Sequence, residues 1–289
     1  MKVQPFQVPK LLNENLIVQV DRAQAFYNNL HQHNEIQLSL ILKGNGKLLI
    51  GDSIHPFSNG DFFVIGPNSP HVFKTENIEG KVHMISLFFT KDTFGEDFFQ
   101  LSDLEEINSF FVLAQDGFQL LSNQQEVRQL MIQFNKISKF SRVITFLKLL
   151  ALLCKSNKRA LTNFIYPKAT GHLAGERMQL VFDYALHNFH NEIKLNTISD
   201  LVYMTPNAFC KFFKQRTNKT FFQFLIELRI EHACQLLQKN GDQSIATIAE
   251  QSGFKSISNF NRKFRSYKNM IPSQYRKKLA QIKIVPSLS

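Results

Sequence analysis

Two groups of side chains in this chain have types and spacings that could do chemistry. The first is His31, His33, Glu35 and Gln37. Residues two apart on an extended strand project to one face, so the four are expected to line one wall. Imidazole, carboxylate and amide groups placed there could fix a small polar ligand or an ion, and His71 is a third imidazole for the same site. The second group is cationic. Lys211 and Lys214 are followed, at an offset of 51, by Arg262 and Arg265. Two such pairs on helices suit a polyanion better than they suit catalysis.

The cations belong to an internal repeat. Phe209, Lys211, Phe213, Lys214 and Asn218 are matched by Phe260, Arg262, Phe264, Arg265 and Asn269 at an offset of 51. Leu195, Ile198 and Ser199 are matched by Ile245, Ile248 and Ala249 at an offset of 50, so the second copy has one extra residue in its turn. One supersecondary unit used twice is the simplest reading. Each copy reads as a helix-turn-helix. In the second, Ser244 caps a helix through Gln251, Gly253 supplies a left-handed turn residue, and Ser256 caps a helix to about Tyr267. In the first, Asn196 is expected to cap the short helix, Met204 takes the place of Phe254, and Thr205-Pro206 is a cap followed by proline at the first helical position.

At ~100° per residue, Phe209, Phe212, Phe213 and Arg216 share one side of the first copy's second helix, and Ile257, Phe260 and Phe264 share one side of the other. The opposite sides present Asn207, Lys211 and Lys214, and Ser258, Arg262 and Arg265. Hydrogen-bonding groups near a helix start, with cations further along, suit entry into the major groove. The candidate DNA contacts are therefore Asn207, Cys210, Lys211 and Lys214 in copy one, with Ser256, Ser258, Asn259, Asn261, Arg262 and Arg265 in copy two. A plain helical domain with solvated cations would explain the charge but not the duplicated turn chemistry.

Residues 177–277 resemble the DNA-binding domain of AraC-type bacterial transcription regulators. The matching pieces are Met204-Thr205 with Phe213-Lys214, Arg229 and Ala233, then Ile248-Ala249, Gly253-Phe254, Phe260, Arg262, Phe264, and Pro272 with Tyr275-Arg276. Departures are modest: Ser199 stands where alanine is usual, and Asn218 and Asn269 stand where glycine is usual. Asparagine is the next most tolerant residue of a left-handed backbone. The resemblance implies double-stranded DNA as a partner, a small-molecule effector, a homodimer and contact with RNA polymerase.

Charge divides the chain in the same way. Residues 161–289 hold 18 Lys+Arg against 8 Asp+Glu, whereas residues 1–160 hold 16 against 15. Nearly all the excess positive charge lies in the half that carries the repeat, as a nucleic-acid-binding half joined to a neutral half would have it. The length of 289 residues leaves room for two cores, and 44% hydrophobic content with 9 Pro argues against disorder. The N-terminus lacks the apolar run of a signal peptide, and Val143–Cys154 is too short for a membrane span and contains Lys148. Cys154, Cys210 and Cys234 are odd in number and not at metal spacing, so reduced thiols in a cytoplasmic protein that does not engage membranes are expected.

From Asn15 to about Phe89, short β-rich runs alternate with turn signals: 17–20, 36–42, 47–50, 61–65 and 82–89, separated by Lys43-Gly44-Asn45-Gly46, Gly51-Asp52, Ser58-Asn59-Gly60-Asp61 and Gly66-Pro67-Asn68-Ser69-Pro70. This spacing predicts an antiparallel β-barrel or jelly roll. The pair His31 and His33, the turn at Gly44, Gly60-Asp61 and Pro67 to His71 resemble the cupin fold, the usual sensory module of AraC-type regulators. A metal-binding cupin would need a glutamate where Gln37 stands, and Glu35 is two residues early. No metal or cofactor is therefore expected; His31, His33, Glu35 and His71 are read as ligand contacts, or as satisfied histidines at the barrel mouth. His83 is placed by alternation on the same interior.

Two helices follow, marked by Val127, Leu130, Met131, Phe134 and Ile137 and by Phe140, Ile144, Leu147, Ala151 and Cys154. The second is apolar on most of its circumference, which leaves a face for a partner subunit. The fold class is then α+β: a cupin-like ligand-sensing and dimerisation domain over 1–160, a linker over 161–176, and an all-α double helix-turn-helix domain over 177–289. The function expected is a sequence-specific, effector-responsive transcription regulator and not an enzyme. The alternative is a metal-dependent cupin enzyme fused to a DNA-binding domain.

Overall fold

The structure is a computed structural model that describes residues 15–76, 81–162, 172–239 and 243–284. The chain divides into two compact units, residues 1–176 and 177–289. In the first, tight turns cut the chain into β1 (Ile17–Ala23), β2 (Ile36–Lys43), β3 (Gly46–Ile50), β4 (Ser53–Phe57), β5 (Phe62–Ile65), β6 (His71–Thr75) and β7 (Val82–Phe89). The β4–β5 turn uses Gly60 at φ +92°, and Asn68 before β6 takes a left-handed φ of 57°. Helices α1 (Glu105–Leu113), α2 (Gln124–Gln133) and α3 (Lys139–Lys155) follow, with two three-residue strands, β8 (Phe118–Leu120) and β9 (Lys158–Ala160), between and after them.

Among the described residues every strand pairing is antiparallel. Six strands form one sheet in the order β1-β7-β2-β5-β8-β9, and β4-β3-β6 form a second. The register sets Leu38 opposite Leu87 and Ser39 opposite Ser86. On one face Ile36, Leu38, Leu40, Phe62, Val64 and Leu87 pack beneath Phe110, Met131, Phe134, Phe146 and Leu149 of the helical segment. On the other, Ile41, Phe63, Ile65 and Met84 meet Leu48, Ile50, Phe57 and Phe73 between the two sheets. Each phenylalanine buried in this way contributes ~1.5–3 kcal/mol. From Ile36 to Leu40 β2 alternates apolar and polar residues, yet Gln37 and Ser39 are buried as well because both faces of the strand are covered.

Several elements differ from the sequence expectation. The strands β4, β6, β8 and β9 were not anticipated. Pro56 argues against a strand, yet β4 is the edge of the three-stranded sheet, where a missing N–H costs no ladder bond. At the end of the first domain Lys158–Ala160 adds an edge strand, whose side chains stay half-buried or exposed. Leu161 is buried in the first unit's core and the Thr162 hydroxyl donates to Asp52 Oδ1 at 2.7 Å, so the packed chain reaches at least Thr162. Residues 163–171 of the expected linker lie outside the described residues, as does the N-terminal stretch read for a leader. In α3 the buried side is Phe146, Leu149, Leu150 and Leu153, while Phe140 is 75% exposed. Among the described residues no helix is long and apolar enough to cross a membrane.

The second unit is helical: α4 (His172–Asn188), α5 (Leu195–Leu201), α6 (Pro206–Thr217), α7 (Phe221–Lys239), α8 (Ile245–Gln251), α9 (Ile257–Lys268) and α10 (Pro272–Ile284). The core stripe of α4 is Met178, Val181, Phe182 and Ala185, continued by Phe189 just past its end, all buried as the spacing predicts. Helix α7 lies between the repeats. Its Phe221 and Phe224 meet Phe213 at 5.6 and 5.7 Å between ring centres, and its Ile230, Ala233 and Leu237 share a core with Ile248, Phe260 and Phe264. Ser244, Thr205 and Ser256 accept main-chain N–H groups from Thr247, Ala208 and Asn259 as helix caps. Asn218 and Asn269 end α6 and α9 at φ 53° and 55°. Asn196 is not a cap. Helix α5 starts after Lys194, the counterpart of Ser244, whose ammonium cannot accept an N–H; Asn196 sits inside the helix and its carbonyl accepts the Ser199 hydroxyl.

Candidate nucleic-acid interface and histidine pocket

Helices α6 and α9 are built alike. Each starts at a hydroxyl cap, ends at a left-handed asparagine and buries a phenylalanine pair, Phe209 with Phe213 at 5.9 Å and Phe260 with Phe264 at 5.5 Å. Those pairs set the rotation of each helix, and rotation decides what faces outward. On α6, Asn207, Cys210, Lys211 and Lys214 are exposed; on α9 and its cap, Ser256, Ser258, Asn259, Arg262 and Arg265 are exposed and Asn261 is half-buried. Arg262 Nη2 donates to Asn259 Oδ1 at 2.9 Å, which holds the guanidinium along the helix surface. Arg216 does not join this face, because its guanidinium lies 4.2 Å over the Phe212 ring.

In the first unit, His31, His33 and His71 come together with Gln37. The strand argument for them fails in detail: residues 32–35 precede β2 and are irregular. Main-chain bonds bring them in. His31 and His71 exchange N–H···O bonds of 3.1 and 2.8 Å, and Asn68 N–H donates to His33 O at 2.8 Å. The three imidazoles are nine-tenths or more out of contact with solvent, and the rings of His31 and His71 lie 4.3 Å apart. Each Nδ1 lies beside a main-chain carbonyl, of Asn29, Glu35 and Ser69 respectively. Nε2 of His33 and of His71 lie 3.1 and 3.0 Å from Gln37 Oε1, and Gln37 Nε2 donates to Ser39 Oγ at 2.8 Å. Ser86 Oγ lies 3.1 Å from Ser39 Oγ. Glu35 is buried, with its carboxylate 3.9 Å from His33 Nδ1. Burial pushes the His31 pKa down to about 4, lowers that of His33, and holds that of His71 well below the usual imidazole range. Burial thus favours the neutral form of all three rings.

Comparison with known proteins matches both halves. Residues 15–134 match the family described as AraC-like ligand binding domain, and residues 198–278 match the one described as helix-turn-helix domain. The chain belongs to the AraC-type regulators. A transcriptional activator named RhaR from Mannheimia succiniciproducens is 26% identical over 257 residues, covering 86% of each chain. A regulator of the helix-turn-helix type from Staphylococcus aureus strain COL is 25% identical over 248 residues, which are 84% of this chain and 31% of that protein. The chain thus spans about a third of the length of that relative. Among solved structures, ToxT from Vibrio cholerae O395 is 17% identical, with a TM-score of 0.36, covering 92% of this chain and 98% of that one.

Three placements in this AraC-type chain correct the sequence reading. His83 lies on the side of β7 away from the pocket and accepts from Arg22 Nε at 3.3 Å; Ser86 is the β7 residue that faces Gln37 and Ser39. The register of β7 against β2 decides this, and it cannot be read from β7 alone. Ile257 is 46% exposed and lines an open cleft of about 800 Å³ with Phe222, Arg229, Gly253 and Lys255, so it is no part of the Phe260–Phe264 core. Tyr203, overlooked in the sequence, holds the turn of the first repeat at φ 56° and is 90% exposed. The offset of 50 that aligns it with Gly253 was the signal for it.

Proposed function

We propose that this chain is a sequence-specific DNA-binding transcription regulator, and not an enzyme, that places α6 and α9 in successive major grooves on one face of a duplex. The observation that carries the reading is the equivalence of the two helices: same caps, same buried phenylalanine pair, and the same outward positions occupied by Lys211 and Lys214 or Arg262 and Arg265. Helix α7 packs against both repeats and would be the spacer that sets the distance between them, ~34 Å for adjacent grooves. Arg262 can pair guanine bidentately, where Lys211 acts as a point charge.

The first unit would be the sensor, with His31, His33, Glu35 and His71 facing a small effector, joined to the reader by a linker beyond Thr162. A homodimer through α3 is supported by Phe140 and Ile144, 75% and 41% exposed on one side of it. The relative named as a transcriptional activator extends the reading to contact with RNA polymerase in the cytoplasm. A pool of random duplexes, selected with the full chain at physiological salt, tests the core of this. Enrichment of two half-sites ~10 base pairs apart is expected. Binding without enrichment would reduce the chain to a nonspecific polycation.

A further inference from the structure

On the reading that α9 enters a major groove, we infer that Asn259 and Arg262 work there as one joined unit that demands hydrogen-bond acceptors from two neighbouring base pairs. Arg262 Nη2 donates to Asn259 Oδ1 at 2.9 Å, and both side chains are exposed on α9. A guanidinium has only donors, so the carboxamide must turn its oxygen toward it. Asn259 is left with the two hydrogens of Nδ2 to offer. An asparagine free of such a partner reads adenine with both ends of its amide, accepting from N6 and donating to N7. In this chain the accepting end is taken. Asn259 therefore selects against adenine, whose N6 amine would meet a donor.

The same bond orients Arg262. A guanidinium has two forks that can grip guanine N7 and O6, one made by Nε with Nη2 and the other by Nη1 with Nη2. Spending one Nη2 hydrogen on Asn259 closes one fork and leaves the other open, so guanine is met in a single orientation. Three residues of helix advance ~4.5 Å, close to the ~3.4 Å between base pairs, so the two side chains meet adjacent steps. Guanine under Arg262, beside a guanine or thymine whose O6 or O4 faces Asn259, satisfies the donors. Helix α6 has no such unit. At the offset of 51, Ala208 stands for Asn259 and Lys211 for Arg262. Ala208 can neither donate to a base edge nor orient its neighbour, and an ammonium on a flexible stem takes whichever acceptor is near. Asn259 is thus a positioning residue for Arg262 as well as a contact in its own right.

The test selects random duplexes with the full chain, then measures wild type and variants by competition against every single-base-pair change in the enriched site. In the half-site that Arg262→Ala relaxes, guanine beside guanine or thymine is expected, preferred roughly 5–150-fold over the alternatives. Asn259→Ala should weaken both preferences and leave the urea midpoint and the other half-site unchanged. Asn259→Asp keeps an acceptor for Arg262 but has no hydrogen to donate, so it should hold the guanine preference and lose the neighbouring one. Ala208→Asn with Lys211→Arg should install a guanine preference under α6 that Lys211→Arg alone does not match. Adenine enriched opposite Asn259, or a guanine preference untouched by Asn259→Ala, would overturn the joined unit and leave the regulator standing. Binding with no enriched site at all would sink both.

Discussion

Gly253→Ala should cost the second unit about as much as any single change in it, and the structure gives two separable reasons. Gly253 turns the chain from α8 into α9 at φ +81°, where a β-carbon costs ~1–2 kcal/mol. That β-carbon would also lie 2.6 Å from the Phe189 carbonyl oxygen and 2.9 Å from Arg229 Nε. These two atoms are themselves joined by a 2.7 Å hydrogen bond, so the new group wedges between donor and acceptor. Losing a hydrogen bond from a charged, half-buried donor costs ~1.5–3 kcal/mol. The sum is ~2.5–5 kcal/mol, a large share of the ~5–15 kcal/mol that typically holds a domain. Urea unfolding of the full chain by circular dichroism would show the second unit's transition moving while the first stays. Gly60→Ala is the control. It has a similar φ of +92° but nothing within 4 Å of the added atom, so only the backbone cost of ~1–2 kcal/mol applies. If Gly253→Ala costs no more than Gly60→Ala, the close approach to Phe189 and Arg229 is not why glycine is needed.

Arg262→Ala should lose ~1–3 kcal/mol on a selected site and relax its sequence preference; an equal loss on random duplex would make Arg262 a phosphate contact. Lys214→Ala or Arg265→Ala should weaken all duplexes alike and lower the slope of log affinity against log salt by ~1, which fluorescence anisotropy across a salt series reads directly. Alkylation at pH 8 should modify the exposed Cys210 first and Cys234 last, because burial pushes the Cys234 thiol up to about 12. A selected duplex should slow the labelling of Cys210; unchanged labelling would place α6 outside the groove.

The repeat was legible because its signals are local. Caps at Thr205, Ser244 and Ser256, left-handed residues at Asn218, Gly253 and Asn269, and the phenylalanine pairs all act within one turn of themselves, and the structure places each as the spacing predicts. Asn196 failed because a cap was inferred from residue type when the aligned position, Lys194, lacked an acceptor. The first unit was less legible because its strands take their burial from distant partners. Three-residue strands such as β8 and β9 exist through their pairing with each other and with β5. The histidines were found for an incomplete reason. Strand alternation does not run through residues 32–35, and it is the His31–His71 main-chain pair that brings the rings together. The contacts of Gln37 with His33 and His71 were hidden for the same cause, since they depend on the pairing that brings His71 in.

The most direct test of the account is a hydroxyl-radical footprint of the full chain on a duplex selected for binding. Two protected patches on one face of the DNA, centred ~10 base pairs apart, are expected. Lys211→Glu should remove one patch and Arg262→Glu the other. A single patch, or two patches that respond identically to both changes, would contradict the claim that one chain reads two successive grooves with α6 and α9.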